Sequence, residues 1–288
     1  MLDVHVVQGR RRRIRVAVAA VATLALASTA AAHDFWLMPH MFGFSEHSAW
    51  HIIARQGTRF PAGTAVPVER VVDARVVSAS STTKITEMTV EGTALRLHQK
   101  PTSAGQYLIV VGLAPRVFRE TPAGTMRFLR AEGGALEADR LERANAFSGL
   151  DSVIFTAASY AATLAQVGSE GPRAFGKSAG IRLEFVPLND PGHLHAGDTL
   201  HVRVLGNGMA VPHIGIDAAT ALDTTAVPPA TLVRVPFTAD ANGVVHVPLT
   251  KAGPWMLRSA YASKKNGGAA NEWDVSRSTY VFNVGAAH

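Results

Sequence analysis

Imidazole and carboxylate side chains are the groups in this chain best suited to hold a metal or move a proton. There are twelve histidines and no cysteine among 288 residues. Thiolate ligation, a cysteine nucleophile, disulfides and a lipoprotein anchor are therefore excluded. Any metal centre must be assembled from His, Asp, Glu, Met, backbone groups or a free N-terminus. The first candidate is His33, with Asp34 beside it. Ala30 and Ala32 occupy the small-residue positions of an A-x-A cleavage site. Cleavage after Ala32 would make His33 the N-terminal residue, so that its α-amine and imidazole close one chelate ring. Two nitrogens of that kind suit Ni(II), Co(II) or Cu(II). Asp34 would add an oxygen ligand or an outer partner. A competing reading makes His33-Asp34-Phe35-Trp36-Leu37 the first strand, with Phe35 and Leu37 facing the core.

Further donors follow. His40, Glu46, His47 and His51 fall in one short window. His47 and His51, at i and i+4, would share a helical face, but Trp50-His51-Ile52-Ile53 reads as a strand, which separates them. His193 and His195 frame Leu194, and residues two apart in extended chain point the same way. The candidate ligand set is thus His33, Asp34, His40, His47, His193 and His195. His98, His213 and His246 read as lone histidines on polar faces, and His201 as the start of a strand. Met38, Met41 and Met209 are either soft ligands for Cu(I) or gap-filling core residues. There is no H-E-x-x-H, and the chain reads as a non-enzyme. A copper oxygenase with an N-terminal histidine brace would need His40, His47 or His193 close to His33.

The elements that must position these groups begin with an export signal. Arg10, Arg11, Arg12, Arg13 and Arg15 precede an apolar run from Val16 to Ala27, too short for a stable membrane span. Residues 1–32 carry a net charge of +4, so the rest of the chain holds +2 of the total +6. The basic cluster belongs to the signal and argues against a nucleic-acid partner. No second long apolar stretch follows, so no stable membrane insertion is expected after cleavage and the expected compartment is the periplasm.

Past residue 33 the pattern is that of short strands between turns. Ala49–Gln56, Val66–Val77, Ile85–Glu91, Leu95–His98 and Gly105–Gly112 read as strands, with Gly57–Gly63 a turn-rich loop. Leu136–Phe147 favours helix, and Tyr160, Leu164 and Val167 have helical spacing. Residues 113–178 therefore read as a mixed connector with one or two helices or an extended hairpin. Strands resume after Gly180: Leu200, Val202 and Val204 alternate with His201 and Arg203, and Val245, Val247 and Leu249 with His246. The expected fold is all-β, with two tandem immunoglobulin-like β-sandwiches at 33–112 and 179–288 joined by the connector.

The His33-Asp34-Phe35-Trp36-Leu37 start, the segment Gly180–Pro191 followed by Ala196-Gly197-Asp198, and Asp240-Ala241-Asn242-Gly243 before Gly253-Pro254-Trp255 together resemble the DUF4198 family. Its members are described as exported, periplasmic components of cobalt or nickel uptake. The resemblance covers nearly all of the chain past the signal. It implies two β-sandwiches, transition-metal handling and a membrane metal transporter as partner. Two stretches depart from the family pattern: Thr58 or Arg59 stands where a histidine is common, and Met209–His213 where a Gly-Lys-Pro turn is common. The alternative class is a cell-envelope module that binds protein or glycan with no role for metal.

Overall fold

Strands buried on both faces lose the polar alternation that marks a half-buried strand, and two such strands form the centre of this fold. In the computed structural model, residues 34–101, 103–225 and 231–287 are described; the expected export signal and His33 lie outside them. The strands are β1 (Asp34–Pro39), β2 (Gly43–Phe44), β3 (Ile52–Arg59), β4 (Ala62–Ala65), β5 (Val71–Val77), β6 (Thr82–Lys84), β7 (Glu87–Glu91), β8 (Ala94–His98) and β9 (Gly105–Glu120). Helices α1 (Pro122–Ala131) and α2 (Ala135–Arg143) follow. Then come β10 (Val153–Val167), β11 (Leu183–Pro187), β12 (Thr199–Gly206), β13 (Met209–Ala210), β14 (Gly215–Thr220), β15 (Val235–Thr238), β16 (Val244–Pro248), β17 (Gly253–Lys264) and β18 (Glu272–Val284).

The all-β class holds. A nine-stranded sheet runs β15-β14-β17-β18-β10-β9-β5-β6, with β2 beside β10. A five-stranded sheet (β1-β3-β8-β7, with β4 on β3) and a four-stranded sheet (β11-β12-β13, with β16 on β12) complete the architecture. Leu108, Val110, Ala162 and Leu164 pack with the four-stranded sheet's Val202, Val204 and Val245. Their neighbours Ile109, Val111, Ala161 and Ala165 pack with Leu37, Ile52 and Leu95 of the five-stranded sheet. Odd and even residues of a strand point to opposite faces, so the small sheets cover opposite faces of the large one. The two sandwiches share their central sheet.

The stretch Ile154–Val167 is strand β10, not helix. Its residues are buried on both sides, so no two-residue period shows, and Tyr160, Leu164 and Val167 mimic a helical stripe. β9 and β10 form the long antiparallel hairpin, from Val153↔Glu120 to Val167↔Gly105. The helical character of the connector sits in the insertion between them. Thr121 caps α1 by accepting from the Gly124 N–H at 3.0 Å, with Pro122 in the first turn. α2 covers most of the helix expected over Leu136–Phe147; α1 has no counterpart in the sequence reading.

β1 has Phe35 and Leu37 in the five-stranded core. Trp36 turns the other way, onto Phe60, Met256 and Val281. Its ring meets Phe60 edge-on at 5.8 Å. The expected loop at 57–63 is the tight β3–β4 hairpin, and glycine there is required: a Cβ on Gly63 would lie 2.6 Å from the Gln56 carbonyl oxygen and 2.9 Å from the Trp36 ring.

Candidate functional site

Asp34 sits at the start of β1 and is 5% exposed. Its two carboxylate oxygens accept from Arg258 at 2.8 Å and Arg234 at 2.7 Å. Arg258 also donates to Asp217 at 2.8 Å and to the Ala131 carbonyl at 3.1 Å. Burial alone would lower the Arg258 pKa; the carboxylates of Asp34 and Asp217 outweigh it and hold the pKa above the ordinary value. Nearby, Glu132 pairs with Arg277 at 2.6 Å. Burial raises the Glu132 pKa, Arg277 opposes the rise and Asp34 adds to it. Asp34 is therefore a charged anchor that fixes β1 to β17. A dication at this carboxylate would meet two guanidinium groups already in place.

The other expected ligands are dispersed. β1 separates Asp34 from His40 by roughly 20 Å at about 3.3 Å per residue, so one ion cannot use both. His47 stands exposed in a loop with φ 63°, not on a helical face with His51. His193 closes a 3-10 turn at Pro191–His193, which breaks the extended geometry expected to converge it with His195. Its Nδ1 lies 3.0 Å from Asp190. Asp190 is itself 8% exposed and takes hydrogen bonds from Gln106 and Arg173. The His195 N–H donates to Asp198, and its ring lies against Gly285. Among the described residues no three His, Cys, Asp or Glu side chains gather as a metal site.

Two histidine pairs do come together, one within an antiparallel ladder and one just past the end of another. His201 of β12 is the register partner of His246 on β16. Their ring centroids are 4.7 Å apart, and Nδ1 faces Nδ1 at 2.6 Å. Two ring nitrogens that close are joined only through a proton on one of them. The cause of the approach is the phase of the ladder. The backbone N–H of His201 donates to the Asn189 side chain, and its carbonyl accepts from Leu188. Both backbone groups thus point away from β16. Facing β16, His201 occupies a non-hydrogen-bonded position, where opposed side chains stand closest. Two ligand nitrogens at about 2.1 Å from one ion are roughly 3 Å apart when they coordinate side by side, so a small ring rotation would let both bind it.

The second pair is His40 and His51. The His40 N–H donates to the His51 carbonyl at 2.8 Å, so this is a hydrogen-bonded position, and the ring centroids are 6.4 Å apart. The sequence reading missed both pairs. Its one usable signal was the outward alternation of His201 and His246; which strand lies beside which is not a local property.

Two catalytic strings that the sequence reading missed are present by letter. Gly171–Ser178 spells G-x-x-x-x-G-K-S, and Gly176–Gly180 spells G-x-S-x-G. The fold supplies neither with its context. A phosphate loop opens a helix and a nucleophile elbow joins strand to helix; this segment leads into strand β11. Lys177 donates to the Ala79 carbonyl at 2.6 Å and Ser178 to Glu184 at 2.7 Å. Among the described residues no helix is long and apolar enough to cross a membrane.

Residues 30–263 match the family model DUF4198, described as a domain of unknown function. No curated protein matches the chain. Trypsin-activated α2-macroglobulin from Escherichia coli aligns at 10% identity over 88% of this chain and 16% of its own length, with a TM-score of 0.23. Murine CEACAM1b aligns at 11% identity over 88% of this chain and 100% of its own, with a TM-score of 0.21. A DUF4785 family protein from Legionella pneumophila aligns at 8% identity over 80% of this chain and 52% of its own, with a TM-score of 0.25. Likenesses this distant carry no argument about function.

Proposed function

The chain belongs to the DUF4198 family, and from that premise we propose that it is an exported, periplasmic binding protein for a divalent transition metal, nickel, cobalt or copper, serving uptake beside a membrane metal transporter. The observation that carries this reading is the His201–His246 pair, two imidazoles 4.7 Å apart on an open strand face. Without thiolates, imidazole is the main side-chain donor open to these ions, and it suits them. Two protein ligands leave the remaining coordination positions to water or to a partner's side chains. Such an ion can be taken up and passed on, whereas a closed four-ligand site would retain it. The amine and imidazole of His33 would supply a second, separate chelate on the processed chain.

Calorimetric titration of Ni(II) and Cu(II) into the processed protein tests the reading. Replacing His201 or His246 with Ala is expected to weaken binding at least about tenfold, since loss of even an outer-shell partner costs roughly 10–100-fold. Unchanged isotherms in both variants would remove the pair from the function. One extra residue ahead of His33 separates the two chelates: it weakens binding only where the chain start is a ligand.

A cleft of about 310 Å³ lined by Trp50, Tyr107, Ser78, Ser80, Thr83 and Lys100 favours the alternative, an envelope module that binds a glycan or protein without metal. That reading predicts retention on a glycan array that Lys100→Ala, at an exposed position of the cleft, weakens and a chelator leaves intact.

A further inference from the structure

The outer face of the five-stranded sheet carries a groove of about 740 Å³ that no step above uses. Met38, His40, Met41 and His51 all line it. Met41 is 56% exposed, although nothing in its packing requires a thioether in solvent. We propose that this groove is a second metal site, selective for a soft monovalent ion of the Cu(I) or Ag(I) class and independent of the His201–His246 pair.

Three observations support the assignment. The first is the donor set: two thioethers beside two imidazoles select soft ions, because sulfur donors add little to the binding of Ni(II) or Co(II) in water. The second is the spacing. A bound imidazole places its ring centre about 3.2 Å from the ion, so two imidazoles on one ion stand at most roughly 6.4 Å apart between ring centres. The 6.4 Å between His40 and His51 sits at that limit. The 4.7 Å of His201 and His246 implies a closer, side-by-side arrangement.

The third observation is charge. Arg96 donates to His51 Nδ1 at 2.7 Å. Arginine has no acceptor, so that nitrogen holds an unprotonated lone pair aimed at a cation. A metal ion binds there by displacing the guanidinium, which keeps its ion pair with Glu91 at 2.8 Å. Arg55 also lines the groove. Glu91 lines the groove as well and offsets one of the two guanidinium charges; the repulsion from the remaining positive charge scales with the charge of the arriving ion, and it weighs half as much on a monovalent ion as on a divalent one.

The experiment is Ag(I) titration by calorimetry on the processed protein, followed by Cu(I) competition against a chromogenic chelator under reductant. The wild type is expected to bind one Ag(I) in the groove. The Met38→Leu/Met41→Leu variant conserves volume and is expected to bind Ag(I) at least about tenfold more weakly, with its Ni(II) isotherm unchanged. His51→Ala, an exposed position, should do the same. Arg96→Gln should strengthen Ag(I) binding, because the competitor for the Nδ1 lone pair is gone; a purely structural role for Arg96 predicts no gain. The proposal is overturned if no Ag(I) binds, if the methionine variant binds it as the wild type does, or if only His201→Ala and His246→Ala remove it. None of these outcomes depends on whether Ni(II) binds at the other pair.

Discussion

The two histidine pairs both join antiparallel neighbours of a small sheet, yet their rings stand at different separations. His201 and His246 sit within the β12–β16 ladder, while His40 and His51 lie just past the end of the β1–β3 ladder. His201 and His246 stand 4.7 Å apart, His40 and His51 6.4 Å. The residue types are identical, so the difference comes from the ladder. His201 sends both backbone groups toward Leu188 and Asn189, which leaves a non-hydrogen-bonded position facing His246. His40 donates to the His51 carbonyl, a hydrogen-bonded position with a wider spacing. The surroundings diverge as well: methionines and arginines line one pair, while Thr199 and Arg203 flank the other along β12. The phase of a two-strand ladder thus sets how far apart the two imidazoles stand.

The largest way to break this comparison is to remove the anchor under one pair. Asp34→Ala leaves Arg258 and Arg234 short of a carboxylate at a site that is 5% exposed. Deleting one partner of a buried ion pair costs about 3–5 kcal/mol, and chemical denaturation should read it. β1 carries Met38 and His40 depends on its end, so Ag(I) binding should fall with it, while Ni(II) binding at β12 and β16 persists in the folded fraction. Gly63→Ala acts on the same strand more gently. The added Cβ must displace the Gln56 carbonyl or Trp36, an overpacking cost of about 1–3 kcal/mol visible as a lower Tm. Equal loss of Ni(II) and Ag(I) binding in this variant would show that the two faces are not independent.

His246→Ala sharpens the comparison from the other side. It should weaken Ni(II) at least about tenfold, or roughly 1.4 kcal/mol, and leave the Ag(I) isotherm and the Tm in place. The smallest effect concerns pH. Glu132 has a folded pKa raised by burial, with Arg277 opposing. The folded state therefore keeps a proton that the unfolded chain has released, and stability falls as pH rises from the ordinary value near 4.5 through the raised one. Glu132→Gln has no such proton to lose. Its Tm should hold across that window while the wild type declines relative to it, with both histidine pairs unaffected.

Much of the scaffold was legible in the chain. Strands that face solvent on one side announce themselves: Leu200, Val202 and Val204 against His201 and Arg203 give β12, and Val245 and Val247 against His246 give β16. The turn at Asp240–Gly243 was equally plain, whereas the strand after His33 stood only as the competing reading of that stretch. β10 was not, because Ala161 and Ala165 face one core while Ala162 and Leu164 face another. Two buried faces erase the period on which the reading depends. α1 was invisible for a different reason: ten residues held by a threonine cap and a proline carry too little apolar pattern to stand out.

By itself the sequence determined the chemistry that is open to this protein. Without cysteine, any metal chemistry must run through histidine, methionine, carboxylates, backbone groups or a free N-terminus, and that holds for any fold. It also determined that the fold is built from strands, since two-residue alternation is written locally. Only the tertiary structure decided which donors meet. His201 and His246 lie 45 residues apart, and so do His51 and Arg96; register across a sheet brings each pair within hydrogen-bond distance. The same register turned Asp34 from a candidate ligand into an ion-paired anchor, because two arginines more than 190 residues away reach its carboxylate first. Backbone pairing over long separations is set by which faces can be buried together, and that is a property of the whole chain.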